Sequence, residues 1–318
     1  MANLTLLCDL GGTHARLGLL EGDTIQAQQK FRIADYQTHN DLFDEYLTQQ
    51  NSAPLSIMIA ASDCHMEGSN PSGFVADSKL SESGLRTLGF SNIAFFNDFE
   101  ASAWGAAACP QEKLSVWRPA ESDFPESEHC LVGPGTGLGT AFFRPAPVLC
   151  VRPHDFGANM RPCAVTAEHH ELLQDLQAQQ KEAVTYEDIA SGRGLKKLYQ
   201  LFVGEELQDL DDLLSRPDHE VASTILRLFH EFLGLYIQNL MISAHAYGGI
   251  VLHGGLLDVL VETKVFDFDQ VFHMVDQPYL PVVRSALRQT PIFYLNDTYL
   301  ALKGLKALAQ NAGSRAAA

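Results

Sequence analysis

The sequence predicts an α/β protein of two domains, each built on a mixed sheet flanked by helices. Three observations carry this. At 318 residues the chain exceeds the roughly 250–300 at which a single hydrophobic core stops growing. Its first part reads as three strands followed by helix, strand, helix, strand, helix. Antiparallel strands therefore precede parallel ones joined by helices. The opening pattern, an apolar pair, a glycine and threonine turn, a small residue and an apolar strand, also recurs at Leu131-Val132 and beyond. A repeat of this kind implies two domains on one plan, each offering a glycine hairpin to a shared central cleft.

The elements follow in order. Leu4–Cys8 is an apolar strand, Gly11-Gly12-Thr13 a turn, and Ala15–Leu20 and Ile25–Ile33 are further strands. Thr38 or Asn40 can cap a helix that presents Leu42, Phe43, Tyr46 and Leu47 at helical spacing. Ile57–Ala61 reads as a buried strand, Gly73–Ala76 as a weaker one, and Glu82–Leu88 as a helix stopped by Gly89. Ile93–Phe96 is a strand running into Asn97-Asp98, and the helix Glu100–Ala108 ends before Pro110. Pro119–Glu128 reads as a surface connection. Beyond it the glycine turn is followed by the strand Gly139–Phe143. The second half is mostly helical, over Ala167–Gln180, Tyr186–Ile189, Leu195–Phe202 and a long buried helix Val221–Ala246. Asp218 is its expected N-cap, and Gly248-Gly249 its stop. Short strands are expected at Ile250–Leu252 and Pro291–Leu295, then a terminal helix Tyr299–Leu308 with a frayed tail.

Composition narrows the function. The chain has 22 Lys+Arg against 39 Asp+Glu, a net charge of -17, which repels phosphate backbones and anionic lipid. Nucleic acid and membrane are therefore not expected partners. No apolar run approaches the ~18 residues of a membrane-spanning helix, and Met1 to Asp9 lacks the basic start of a signal peptide. A cytoplasmic location is the expectation. Six cysteines are scattered without a CxxC pair, as free thiols of a reducing compartment would be. No HExxH or Cys/His cluster has the spacing of a structural metal site.

Three motifs carry chemistry. Gly133-Pro134-Gly135-Thr136-Gly137-Leu138-Gly139 lets backbone N–H groups come close to an anion. It fits neither GxGxxG nor a P-loop, and a tight hairpin that simply needs glycine reads equally well. Asp9 precedes Leu10-Gly11-Gly12-Thr13. A carboxylate beside a phosphate-binding turn makes sense with Mg²⁺ between them, and Thr13 could donate to a phosphate oxygen; a plain turn aspartate is the alternative. Asn97-Asp98 lies at the carboxyl end of a strand, where open α/β sheets bind ligands. Asp98 could take a proton from a substrate hydroxyl beside Asn97, or cap the helix that follows.

Taken together, Asp9-Leu10-Gly11-Gly12-Thr13 with Ala15-Arg16-Leu17, Phe96-Asn97-Asp98-Phe99, Gly133–Gly139 with Thr140-Ala141, and Gly254-Gly255 resemble the bacterial glucokinase family. These are ATP-dependent, hexokinase-type sugar kinases of the actin-like ATPase (ribonuclease H-like) fold. Glu187 to Tyr199, with Ser191-Gly192, Gly194-Leu195 and Leu198-Tyr199, matches the family as well, so the resemblance spans nearly the whole chain. It implies transfer of phosphate from ATP to the 6-hydroxyl of a hexose such as glucose. Asp98 would be the base, and Asn97, Asp98, Asp155 and Glu187 would hold the sugar. Asp9 would position Mg²⁺ through water. Gly11, Gly12, Thr13, Gly133, Gly135, Thr136 and Gly137 would cradle phosphates, with Gly254, Gly255 and Gly304 near the adenosine. The expected division is a small domain, 1–110 joined by the C-terminal helix at about 298–318, and a large domain, 111–297. A homodimer is the family expectation.

The departures fall on the sugar side. His14 stands where the family turn has Asn, and Val75-Ala76-Asp77-Ser78-Lys79-Leu80 lacks the family's Thr-Asn and Trp. The family's Pro-Gly-Glu-x-Gly-His is here Pro153-His154-Asp155-Phe156-Gly157-Ala158. Asp155 is one methylene shorter, and Ala158 has no side-chain hydrogen bond to give. Losing a donor in a pocket built for hydroxyls shifts substrate preference or weakens binding. A kinase for another hexose or amino sugar, or a sugar- or nucleotide-binding regulator with little catalysis, is the competing reading.

Overall fold

The computed structural model describes residues 4–62, 65–67, 70–72, 82–119, 127–145, 149–154, 156–215, 219–277 and 280–316. The chain divides into one unit of Met1–Pro110, Val151–Pro153 and Asp297–Ala318, and another of Gln111–Cys150 and His154–Asn296.

The first unit holds the strands Leu4–Leu10 (β1), His14–Glu21 (β2), Thr24–Arg32 (β3), Ser56–Ala61 (β4), His65–Glu67 (β5), Asn70–Ser72 (β6) and Asn92–Asn97 (β7). Its sheet is ordered β3-β2-β1-β4-β7, and β5 and β6 form a separate hairpin. β1 pairs antiparallel with β2 and parallel with β4. Helices cover both its faces, which is why Leu6 to Leu10 are all buried rather than alternating with polar residues. Leu6, Cys8 and Leu10 face His39–Gln49 (α1) through Leu42, Phe43 and Tyr46, with Leu85 of Glu82–Thr87 (α2) in the same cluster. Leu7 faces the other way, toward Ala101 of Asp98–Ala107 (α3) and toward Leu302 and Leu305 of the C-terminal helix Leu300–Ala316. Period two puts Asp9 on Leu7's face. Thr38 caps α1 in a reciprocal box with Asp41. The expected strand at 73–76 and the segment 75–80 lie outside the described residues. The terminal helix runs to Ala316 instead of fraying after Leu308.

α3 and the terminal helix cross closely. A Cβ on Gly105 would lie 2.3 Å from the Leu300 carbonyl oxygen, and one on Gly304 would lie 1.6 Å from that of Ala101. Gly304 is therefore glycine because two helix backbones touch there.

The second unit repeats the plan. Its strands are Ser115–Arg118 (β8), His129–Pro134 (β9), Leu138–Arg144 (β10), Gly249–Leu252 (β12) and Ile292–Tyr294 (β13); with Cys150–Pro153 (β11), of which the division counts only Cys150 in this unit, they form a sheet ordered β11-β10-β9-β12-β13-β8. β9, like β1, pairs antiparallel across a glycine hairpin with its successor and parallel with the next strand inward. The helices are Ala167–Gln179 (α4), Gly192–Val203 (α5), Leu210–Leu214 (α6), Glu220–Ala244 (α7), Gly255–Glu262 (α8), Phe268–Val275 (α9) and Pro281–Gln289 (α10), which makes the terminal helix α11. α7 is buried on more than one side over Leu228 to Gln238. It ends at His245, a residue in the left-handed conformation (φ 53°), three residues before the expected Gly248 stop. Asp218, the expected cap, lies outside the described residues. α5 starts at Gly192, earlier than its apolar residues suggest, because Ser191 accepts from the Gly194 N–H. No helix among the described residues is long and apolar enough to cross a membrane.

Candidate active site

The first group of site residues lies along the carboxyl edge of the first sheet. The parallel register aligns Leu10 with Ala61 and Ala61 with Asn97, so β1, β4 and β7 end in one row. Asp9 and Asn97 are two strand spacings apart, roughly 10 Å. Asn97, not Asp98, caps α3: its Oδ1 accepts from the N–H groups of Phe99 (2.9 Å) and Glu100 (3.0 Å). β7 pairing holds Asn97 extended through Ala61, which makes it the last non-helical residue. Its amide nitrogen remains a donor. Asp98 is thereby the first helical residue, with Oδ1 2.9 Å from the Phe99 N–H, at the end of the helix that favours an anion.

Asp9 lies inside β1 rather than at its end. It is directly opposite Arg16, whose Nη1 donates to Asp9 Oδ2 at 3.1 Å. Arg16 Nε is buried with no hydrogen-bond partner. An orphaned cationic donor beside the hairpin suits an anion, and sequence reading did not single it out. The turn is closed by the Gly11 N–H on the His14 carbonyl (3.1 Å), and the Thr13 carbonyl accepts from the Ile33 N–H (3.1 Å). Gly12 and Thr13 are exposed. Burial, then Lys30, Arg16 and Arg32, lower the pKa of His14, so it stays neutral and adds no charge there.

The second group gathers on the hairpin between β9 and β10. The Gly135 N–H bonds the Gly137 carbonyl at 2.8 Å. The carbonyls of Gly135 and Thr136 accept from the first N–H groups of α5, at Gly192 (2.9 Å) and Arg193 (3.0 Å). Glu187 binds the same hairpin: Oε2 accepts from the Leu138 N–H at 3.1 Å, and Oε1 pairs with Arg193 Nη2 at 2.6 Å. Gly137 leaves room for both, since a Cβ there would lie 2.8 Å from Glu187 Oε2 and 2.9 Å from Arg193 Nη2. Gly254, at φ 152°, packs on the Pro134 carbonyl, where a Cβ would come within 2.4 Å. Gly255 has open space over its Cα. Gly133 pairs with Gly139 across the hairpin. The expected Gly133, Gly135, Thr136, Gly137, Gly254 and Glu187 thus share one neighbourhood, with Gly255 beginning the helix beside it. Arg193 is an addition that its exposed position in the sequence gave no reason to pick.

Two departures from the family pattern have visible consequences. Ala158 is buried, and its methyl group offers no hydrogen bond. Gly157 accommodates His154 and the Tyr236 hydroxyl, 2.3 and 2.9 Å from where its Cβ would be. That hydroxyl is 2.5 Å from Thr140 Oγ1. Asn159, the residue nearest in sequence to the lost histidine, is exposed. Asp155 lies outside the described residues. Among the described residues no group of three or more His, Cys, Asp or Glu could hold a metal by itself. Asp9, already neutralised by Arg16, fits a magnesium held mainly by nucleotide phosphates and reached through water.

A family model for glucokinase matches residues 6–312. A glucokinase of Rhizobium etli is 26% identical over 321 residues, covering 96% of this chain and 91% of the relative. Among solved structures, a glucokinase from an Antarctic psychrotroph superimposes with a TM-score of 0.73 at 22% identity, covering 98% of this chain and 100% of the other. The glucokinase from Balamuthia mandrillaris in complex with glucose gives 0.72 at 22% identity, covering 97% and 94%. These two show the shared fold.

Proposed function

The chain belongs to the glucokinase family, and we propose that Asp98 is the base of its reaction, the ATP-dependent phosphorylation of glucose. Asp98 accepts the proton of the sugar 6-hydroxyl as that oxygen bonds to the γ-phosphorus, and the bond to ADP breaks with its electron pair on the leaving oxygen. The observation that carries this reading is the division of labour at the end of β7. Asn97 takes the capping bonds of α3, so Asp98 is not needed as the cap. Asn97 contributes its amide nitrogen to a neighbouring sugar hydroxyl, and Glu187 accepts from others.

Phosphoryl transfer needs positioning and charge neutralisation more than covalent help. The Gly11–Thr13 and Gly133–Gly137 turns let the backbone come close to the phosphates, the Gly11 and Gly135 N–H groups being spent on closing the turns, with Gly254 and Gly255 on the nucleotide. Magnesium, reached by Asp9 through water, would neutralise phosphate charge. Arg16 adds a cation beside the Gly11–Thr13 turn, and Arg193 holds Glu187 for the sugar. Buried Ala158 gives no hydrogen bond where the family has a histidine, which weakens sugar binding or shifts preference toward another hexose or amino sugar.

ADP release with Mg-ATP tests the assignment across glucose, mannose, fructose, glucosamine and N-acetylated hexosamines. Asp98→Asn should lower turnover at least ~10²-fold while ATP still binds. Unchanged turnover in that variant would remove Asp98 as the base.

A further inference from the structure

In the second unit a cavity of about 340 Å³ opens between α9 and α10, within the range of roughly 300–1,000 Å³ usual for small-molecule sites. Phe272, His273, Asp276 and Gln277 line it from α9 and just beyond, and Arg284 and Arg288 from α10. The two arginines are four residues apart on α10 and so share a face. None of the six belongs to the glycine hairpins or to the carboxyl edge of the first sheet.

The charge here runs against that of the chain. The whole protein carries -17, yet the lining sets two arginines against one carboxylate. That carboxylate is already engaged. Asp276 Oδ1 accepts from Arg118 Nη1 at 3.0 Å, and Oδ2 lies 3.5 Å from Arg288 Nε. Arg118 is committed to structure, donating to the carbonyls of Thr290 (3.2 Å) and Leu287 (2.7 Å), with its guanidinium 5.6 Å from the centre of the Phe272 ring. Arg284 has no such commitment. Its Nε is buried without a hydrogen-bond partner, and no acid on the described residues pairs with its guanidinium. A buried donor left unpaired is costly, and an acceptor entering the cavity removes the cost.

We propose that this cavity binds a small organic anion, a phosphate ester or a carboxylate carrying an apolar or ring-shaped body. Arg284 and Arg288 supply the planar, multi-donor groups that suit such anions. Phe272 forms the apolar wall, and His273 and Gln277, hydrogen-bonded to each other at 3.2 Å, give a polar rim.

Calorimetric titration of the full chain, with saturating ADP to fill the nucleotide site, tests this using phenyl phosphate, benzoate and inorganic phosphate. Saturable binding of phenyl phosphate or benzoate, weakened at least tenfold in Arg284→Gln and less in Arg288→Gln, is the expected result. Preference for phenyl phosphate assigns a phosphate ester, and preference for benzoate a carboxylate. Kinase turnover and melting temperature without the probes should match wild type in both variants. If Arg284→Gln does not fold, Arg288→Gln carries the test with an expected weakening of at least threefold. Absence of saturable binding by all three probes overturns the proposal, as does affinity unaltered by the arginine substitutions.

Discussion

Gly304→Ala should melt the first unit early and leave nucleotide affinity alone. A Cβ at 304 would lie 1.6 Å from the Ala101 carbonyl oxygen and 2.8 Å from the Gly105 nitrogen. Carbon and carbonyl oxygen approach comfortably only to roughly 3.3 Å, so α11 and α3 must part by about 1.7 Å. A radial gap of ~0.5–1 Å already forfeits a quarter to a half of the dispersion attraction at a contact. α11 buries Leu300, Leu302 and Leu305 almost completely, and each buried leucine contributes ~1.5–3 kcal/mol. Losing up to half of that sum costs about 2–4 kcal/mol. For a unit of this size, the melting temperature should fall by roughly 10 °C. Scanning calorimetry reads the shift, and ADP titration well below the transition reads affinity. A melting temperature within ~2 °C of wild type together with a tenfold loss of ADP affinity would refute the packing account and return Gly304 to the nucleotide site.

Arg193→Gln removes one of the two donors that fix Glu187. The pair is well exposed on the arginine side, so its loss costs about 1 kcal/mol. The sugar KM should rise about fivefold, with kcat and the KM for ATP within twofold, while Glu187→Gln should raise the sugar KM considerably further. An unchanged sugar KM in both variants would remove Glu187 from the sugar site; a change only in Glu187→Gln would remove Arg193 as its positioning residue. Acid should weaken the second unit through His230, 1% exposed on α7, with Nε2 accepting from the Asp267 N–H. Burial lowers its pKa to about 4, beyond what Asp267, the Leu226 carbonyl and Glu231 restore. The unfolded chain takes up this proton near the ordinary value of 6.5, whereas the folded chain refuses it until about pH 4. Up to about 3 kcal/mol of stability is therefore present above pH 6.5 and lost as the pH falls toward 4. Urea midpoints across that range should flatten in His230→Gln, and a wild-type slope in the variant would discount the mechanism.

What could be read from the sequence, and what could not, divides along the distance over which each residue is determined. The two glycine hairpins were legible because turn chemistry and strand periodicity are local. Their common plan shows in the pairing, where β1 and β9 each take an antiparallel partner on one side and a parallel one on the other. Local pattern let Asp98 read equally well as a base or as the cap of the helix; the cap falls to Asn97 because pairing with Ala61 extends β7 one residue further. Arg193 was invisible for the same reason at longer range. Its partner Glu187 is placed by the Leu138 N–H, 49 residues away, and neither glycine spacing nor charge pattern encodes that docking. α8, α9 and α10 went unread because each is at most nine residues long, too short for a stripe to stand out from the surrounding loops. The glycine motifs were thus the legible part, since a tight turn carries its own glycines. Arg16 and Arg193 left no such local sign, because their carboxylate partners are set by tertiary structure, Asp9 across a strand pair and Glu187 across a helix start.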